Sequence, residues 1–407
     1  MADGALSGLR VIELADFISG PYCCKLMADM GAEVIKIEPP GVGDSSRKYG
    51  PFPQDVPHLE KSLLFAYLNT SKKGITLDVR VPLGKKVFKQ LVGEADILVE
   101  NNPAALMDEL GLDYASLSAL NPKLIVTSIT PFGHTGPYRD YKGNDLIGMH
   151  SGGVGYATPG GVEDWENHHP MKAPGHSGDF LAALTAASGT MMAVMARDIS
   201  GNGQHVDISE QQSLAVIMRG DVMSHYHQGQ TPSRIAGMSR MVASRSPLRC
   251  KDGYISLQVI LDHFWINLRK VMGDPDWAQL ELFQDARSRM DNLDALTPLM
   301  EEWTIQYTRD ELYQLFQVEN HIPCLPVNTI PDLFANEHFR ERGLFIDMEH
   351  PVIGTFKGVG APYRFSESSW NIYSPAPLLG QHNGEIICQD LGYSQEDLVT
   401  MKQLGVV

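Results

Sequence analysis

Asp179 stands directly ahead of the run FLAALTAASGTMMAVMA, whose small and apolar residues read as one helix. At the head of a helix a carboxylate faces the free amides of the first turn, and Asp is strongly favoured there as a plain N-cap. The same field keeps the carboxylate ionised at little cost, and an ionised carboxylate can attack an activated acyl group as a covalent nucleophile. These residues alone leave both readings open. A second set, Lys36, Arg47, Lys72, Lys73, Arg139 and Lys142, lies near expected strand ends, where it would either receive phosphates or form an ordinary solvated face. The turn Ser19-Gly20-Pro21, with Ser19 as the expected N-cap, offers backbone amides to an anion and is equally a good helix start.

Other catalytic signatures fail. GGVGYATPGG has Thr158 at the last glycine position of a dinucleotide fingerprint, with no helix directly after it. GHSGD (175–179) misses the nucleophile-elbow pattern by its last residue, and neither a Walker A nor an HExxH sequence occurs. The fourteen histidines, His168-His169 included, lack metal-ligand spacing, so no metal is expected.

The elements that must position these residues alternate along the first 130 positions. RVIELAD (10–16), EVIKIE (33–38), GITLDV (74–79), ADILVEN (95–101) and KLIVTSIT (123–130) read as strands. Between them, helices are expected over SGPYCCKLMADMGA, from Pro82 to about Val92, and from Pro103 to Leu120. This pattern predicts an α/β fold, a doubly wound parallel sheet of the Rossmann-like kind, with ligands at the strands' carboxyl ends. Those ends are Asp16, Glu38, Asn101 and the segment 128–133. The soft stretch from Ala182 to Ala196 falls short of the roughly 20 apolar residues that span a bilayer and reads as a buried helix. After residue 225 the texture changes, with a hairpin signal at Asp252-Gly253 and then mostly amphipathic helices. The expected organisation is a large domain over 1–220, a smaller α+β domain over 225–335, and a segment 340–407 that returns to the large domain.

Lys and Arg (33) against Asp and Glu (49) leave a net charge of −16, which argues against nucleic acid or an anionic membrane as partner. Cysteines 23, 24, 250, 324 and 388 form no CxxC pair and read as reduced thiols. The first residues lack a basic segment followed by an apolar one, so no secretory signal is expected and the cytoplasm is the expected location.

Taken in order, LSGLRVIELADFISGPYCCKLMADMGAEVIKIEPP, GDSSR, FAYLNTSKKGITLDV, ADILVENNPAALMDELGLDYASLSALNPKLIVTSITPFGHTGPY, the GDF around Asp179, GNGQHVDIS, CKDGYISL and LGQHNGEIICQDLGYS resemble the class III CoA-transferase family over nearly the whole chain. The resemblance implies that Asp179 is the nucleophile. It would form a mixed anhydride with the acyl group of an acyl-CoA, then an aspartyl-CoA thioester, before the CoA passes to a carboxylic acid. It further implies CoA contacts at Phe17, Ile18, Lys73, Asn101, Arg139 and Lys142, with Asn101 at the end of its strand the firmest. CoA enters as a substrate thioester, succinyl-CoA being the expected donor, and no tightly bound cofactor is expected. Backbone amides after Asp179 would stabilise oxyanions, and the glycine loop 152–161 would act as a lid against water. The expected assembly is an interlocked homodimer or a hetero-oligomer with a related subunit.

Departures accompany the resemblance. The formyl-CoA branch has a Gln, an Arg and an Arg where this chain has Ile18, Pro39 and Glu109, and its poly-glycine loop is not evident between Arg234 and Cys250. The family's α-methylacyl-CoA racemases carry a GHD motif where this chain has Gly143-Asn144-Asp145. Loss of that imidazole removes one partner of a two-base proton exchange and favours transfer, with His150 and His134 as the remaining substitutes. The alternatives are a racemase or isomerase, and a non-catalytic subunit that completes a partner's site.

Overall fold

In the computed structural model the described residues are 4–160, 164, 167–229, 247–259 and 261–407. They form two compact units, one of Met1–Val154, Lys172–Met218 and Glu341–Val407, the other of Gly155–Met171 and Arg219–Arg340. Residues 155–171, expected within the large domain, therefore belong with the second unit. The unit boundary divides the glycine loop 152–161, whose last residue lies outside the described set. Residues 230–246, most of the stretch without a poly-glycine loop, also lie outside it.

The first unit is built on strands β1 (Arg10–Leu14), β2 (Glu33–Glu38), β3 (Lys72–Thr76), β4 (Ile97–Glu100), β5 (Ile125–Thr130) and β6 (His205–Ser209). All pair in parallel, in the order β3-β2-β1-β4-β5-β6. The intervening helices are α1 (Ser19–Ala28), α2 (Leu63–Leu68), α3 (Pro82–Gly93), α4 (Ala104–Leu110), α5 (Tyr114–Leu120), α6 (Asp145–Ser151), α7 (Ser177–Ser200) and α8 (Glu210–Ile217). Alternation along each strand supplies both faces of the sheet. Val11 and Val34 pack with Cys23, Met27, Ala182 and Ala186 under α1 and α7. Ile12 and Ile35 pack with Val87, Phe88 and Leu91 of α3, and with Leu398 and Met401 near the C-terminus.

Four features differ from the sequence reading. β3 begins at Lys72 and ends at Thr76 because its register against β2 runs from Val34↔Lys72 to Glu38↔Thr76. The helical region 103–120 is two helices, because Gly111 takes a left-handed φ of 63° and Asp113 then caps α5 by accepting from the Ser116 amide. HVDIS, not read as a strand, is edge strand β6. Finally, α7 has 24 residues and by length and composition could cross a membrane. Ala182, Ala183, Ala186 and Ala193 are buried in the core beneath it, while Leu184, Met192, Met195 and Ile199 are exposed, so only one face of this helix is buried.

The second unit carries β7 (Leu248–Cys250), β8 (Gly253–Leu257) and β9 (Cys324–Pro326) as an antiparallel sheet; the expected hairpin is present, but its turn is Lys251-Asp252, one residue earlier than expected, since Gly253 already pairs with Cys250. Its core joins these strands to Trp265, Phe283, Leu296 and Phe316.

Candidate active site

Going out from β1 toward β3 and then returning to β4 reverses the strand order between β1 and β4, and the crevice outside their carboxyl ends is where such sheets bind ligands. The loop after β1 is held there from both sides. Asn101 accepts a hydrogen bond from the Asp16 amide (2.8 Å) and donates to the Asp16 carbonyl (2.7 Å) and to Ser19 Oγ (3.1 Å). The Asp16 carboxylate accepts from the amide and hydroxyl of Ser45, each at 2.7 Å. Phe17 is thereby fixed at a φ of 66°, its amide donating to Asp44 and its ring edge-on to Tyr49 and His176.

Beyond this loop a cavity of about 390 Å³ is lined by Phe17, Asn101, Asp145, Lys172, His176, Asp179 and Glu210, among others. Asp179 is 9% exposed. It is not the N-cap: His176 holds that position with left-handed backbone angles, and Asp179 sits in the first turn of α7. The capping is done from elsewhere, by Asp145 of α6, whose Oδ1 accepts from the Gly178 amide at 2.8 Å. The other oxygen of Asp145 takes the ammonium of Lys172. Asn144 caps α6 in turn, accepting from the Ile147 amide at 3.1 Å.

Glu210, the first residue after β6, completes the group and is 5% exposed. Glycine at 178 lets the two carboxylates approach this closely, since a Cβ would stand 2.8 Å from Asp145 Oδ1 and 2.9 Å from Glu210 Oε1 and displace them. Three carboxylates thus converge on one ammonium. Burial, and after it the charge of Asp145, pushes the Asp179 carboxyl up to about 7, with Lys172 pulling the other way. Burial, then Asp179 and Asp145, pushes Glu210 up to about 8. His176, whose Nδ1 lies 3.3 Å from Asp179 Oδ2, is lowered by burial. A carboxylate so placed is desolvated and poorly stabilised, hence reactive once ionised.

Of the residues expected at a site, the structure brings Phe17, Asn101 and Asp179 to this cavity. Ile18 lines none of it: its side chain is fully buried in the core. Lys73 lies toward the amino end of β3, opposite the crevice, with its ammonium on Glu33 and Glu385 at 2.7 and 2.9 Å. Arg139 is bound to Asp108, while Lys142 is exposed next to the cavity-lining Gly143. Three further basic residues are closed to phosphate by burial in ion pairs. Lys36 is held by Glu13 and Asp44, Lys72 by Glu13, and Arg47 by Glu38 and Glu60. Ser19 is the first residue of α1, not its cap. The Phe180 amide donates to the His176 carbonyl at 3.1 Å, so the helix itself uses the first amide after Asp179.

Lys172, His176 and Glu210 were missed by sequence reasoning. A signal for Glu210 existed: as the residue after HVDIS it occupies a strand's carboxyl end, once that segment is read as β6. Lys172 lies outside any helix or strand and has no such signal.

Residues 6–383 match the model of CoA-transferase family III. The chain is 33% identical over 403 residues to the succinyl-CoA–D-citramalate CoA-transferase of Chloroflexus aurantiacus, covering 99% of this chain and 98% of that one. It is 30% identical over 426 residues to a formyl-CoA:oxalate CoA-transferase of Rhodopseudomonas palustris, covering 99% and 97%. Among solved structures, a CAIB/BAIF family protein from Brucella suis superposes with a TM-score of 0.81 at 32% identity, covering 95% of this chain and 99% of that one. Matched over almost its full length by the family model and by these relatives, the chain belongs to CoA-transferase family III and is an enzyme that transfers CoA.

Proposed function

We propose that the enzyme moves CoA from succinyl-CoA to a second carboxylic acid through covalent intermediates on Asp179. The observation that carries this reading is the buried Asp179 carboxylate in the first turn of α7, facing the cavity at the strand-order reversal. The ionised carboxylate attacks the thioester carbonyl, the C–S bond breaks, and an aspartyl-acyl anhydride and CoA thiolate result. The thiolate attacks the aspartyl carbonyl and releases the donor acid, leaving an aspartyl-CoA thioester. An incoming carboxylate then reverses both steps and leaves as its CoA thioester. The name of the Chloroflexus relative supports the choice of donor.

CoA has a second cleft to occupy beside the first. A cavity of about 220 Å³ opens at the ends of β1 and β2, lined by Leu14, Pro39, Leu77, Arg80, Asn102 and Met107, among others. Asn101 lines one cleft and Asn102 the other, so a thioester at Asp179 and a nucleotide in the apolar cleft would lie across the end of β4. Among the described residues, the exposed Lys142 is a cation near this path for the phosphates, and Arg80 and Arg139 would serve only by leaving Asp78 and Asp108.

Racemisation fits less well. Asn144 is an N-cap, His134 lies 3.6 Å from Glu100, and His176 touches Asp179 itself. Two bases in contact stand on one side of a substrate, whereas exchange at an α-carbon needs one on each face. The assembly we propose is a dimer of this chain, supported by the exposed apolar stripe of α7. The five free thiols support a cytoplasmic location.

The test is intact mass after incubation with succinyl-CoA and hydroxylamine, for wild type and Asp179→Ala. Hydroxylamine intercepts the activated carboxylate as a hydroxamate, which peptide mapping should place on Asp179 and which the variant should lack. An unmodified wild type would overturn the covalent route and point to proton exchange or to a subunit that works through a partner.

A further inference from the structure

Glu210 has no task in the transfer described above, yet its placement is costly. It is 5% exposed, it begins α8 at the carboxyl end of β6, and its Oε1 has no hydrogen-bond partner. That oxygen lies against two glycines, Gly148 of α6 and Gly178 of α7, at which a Cβ would come within 2.4 and 2.9 Å of it. Both helix backbones therefore approach this carboxyl more closely than residues with a Cβ would leave it room for. A buried acceptor left unbonded costs roughly 1–3 kcal/mol, and an unpaired buried charge more.

The charged groups around it do not relieve that cost. From α6 comes Asp145 and from α7 come Asp179 and His176; Lys172 precedes α7. On β6, Asp207 is engaged by the His134 amide, and His205 by Ser128. The single ammonium among the described residues that line the cavity, that of Lys172, is committed to Asp145. Asp179 and Glu210 are left without a second cation among the described residues, and the site retains a proton between them.

We propose that Glu210 is the proton reservoir of the transfer, lending its carboxyl proton to the CoA thiolate when Asp179 is acylated and taking it back when CoA returns. The inference rests on Asp179 being the nucleophile. At rest Asp179 is ionised and Glu210 neutral. When the Asp179 oxygen bonds to the acyl carbon and the C–S bond breaks, Asp179 loses its charge and the thiolate gains one. Transfer of the Glu210 proton to sulfur leaves neutral anhydride, neutral thiol and one carboxylate, so the buried site carries one negative charge before and after. In the second step Glu210 removes the thiol proton as sulfur attacks the aspartyl carbonyl, and the acyl carboxylate departs. The proton-holding carboxyl sits near 8, close to a thiol's own range, which is the match that efficient transfer requires.

The donor's own acid is an acceptor by reversibility, so the experiment is exchange of labelled succinate into succinyl-CoA as a function of pH. Wild type should show a bell, with an acid limb near 7 from Asp179 and an alkaline limb near 8 from Glu210. Glu210→Gln should keep the acid limb, lose the alkaline limb and run about 100-fold slower at the plateau, the usual size of a lost general acid. Glu210→Asp should restore an alkaline limb. Hydroxylamine labelling of Asp179 in Glu210→Gln shows that the variant is folded and competent to acylate. Labelled Asp179 with both limbs intact in Glu210→Gln would remove the role of Glu210 alone. Neither label nor exchange in wild type would remove the reading of Asp179, and this inference with it.

Discussion

The attack proposed for Asp179 needs an ionised carboxylate, and its surroundings favour its proton. Burial beside Asp145 raises its carboxyl from 3.8 to about 7, so the folded state binds that proton more tightly than the unfolded chain does. The sign follows: this residue's contribution to stability is lost as pH rises from about 4 to about 7, and the loss persists above that. Asp179→Asn removes the penalty. The variant should match wild type near pH 4 and be more stable by up to about 4 kcal/mol above pH 7. Urea titration across that range checks this; an unchanged difference at all pH values would contradict it. The position of Asp179 before a run of small residues was legible, because helix-start chemistry is local. Its raised carboxyl was not, because burial comes only with folding and the Asp145 charge beside it is more than thirty positions away.

Among the elements, the first three strands carry an unusual cargo. Glu13, Lys36 and Lys72 are buried inside the sheet, paired at 2.8 Å (Lys36–Glu13) and 2.7 Å (Lys72–Glu13), with Asp44 completing the group 2.6 Å from Lys36. Burial pushes Glu13 up, but the two ammoniums overcome it and its carboxyl is lowered. Asp44 in turn holds the Phe17 amide, so the network reaches the wall of the cavity. Glu13→Ala would strand Lys72 without its carboxylate partner and should cost about 3–5 kcal/mol, read by urea unfolding. Glu13→Gln should lose less, keeping the shape and one hydrogen-bond acceptor. The strands themselves were readable from their apolar runs. The lysines were not, since an alternating pattern shows which face a residue takes, not which partner meets it there, and Lys36 and Lys72 were accordingly expected either to receive phosphate or to lie on a solvated face.

For the whole molecule, one face of α7 remains uncovered. Leu184, Met192, Met195 and Ile199 recur at helical spacing, and Ile199 is 90% exposed. If a second copy covers them, wild type should elute in light scattering at twice the 44.9 kDa chain mass. Met195→Lys with Ile199→Lys should shift it to a single chain mass while leaving the far-UV spectrum intact. A wild-type monomer would discard the dimer, and a double variant that stays dimeric would move the contact elsewhere.

The order and spacing of short segments were enough to determine the family and the parallel α/β sheet, and to single out Asp179 as the candidate nucleophile. These follow from local chemistry: apolar periodicity, turn residues and helix starts act over a few positions and are written contiguously. The residues that set the protonation of Asp179, and the basic residues withdrawn from solvent, depended on the folded chain. Asp145, Lys172, Asp179 and Glu210 meet because β5 and β6 end, and α6, α7 and α8 begin, around one cavity. The energy of a buried charge depends on what else is buried with it, and burial exists only after the strands have paired.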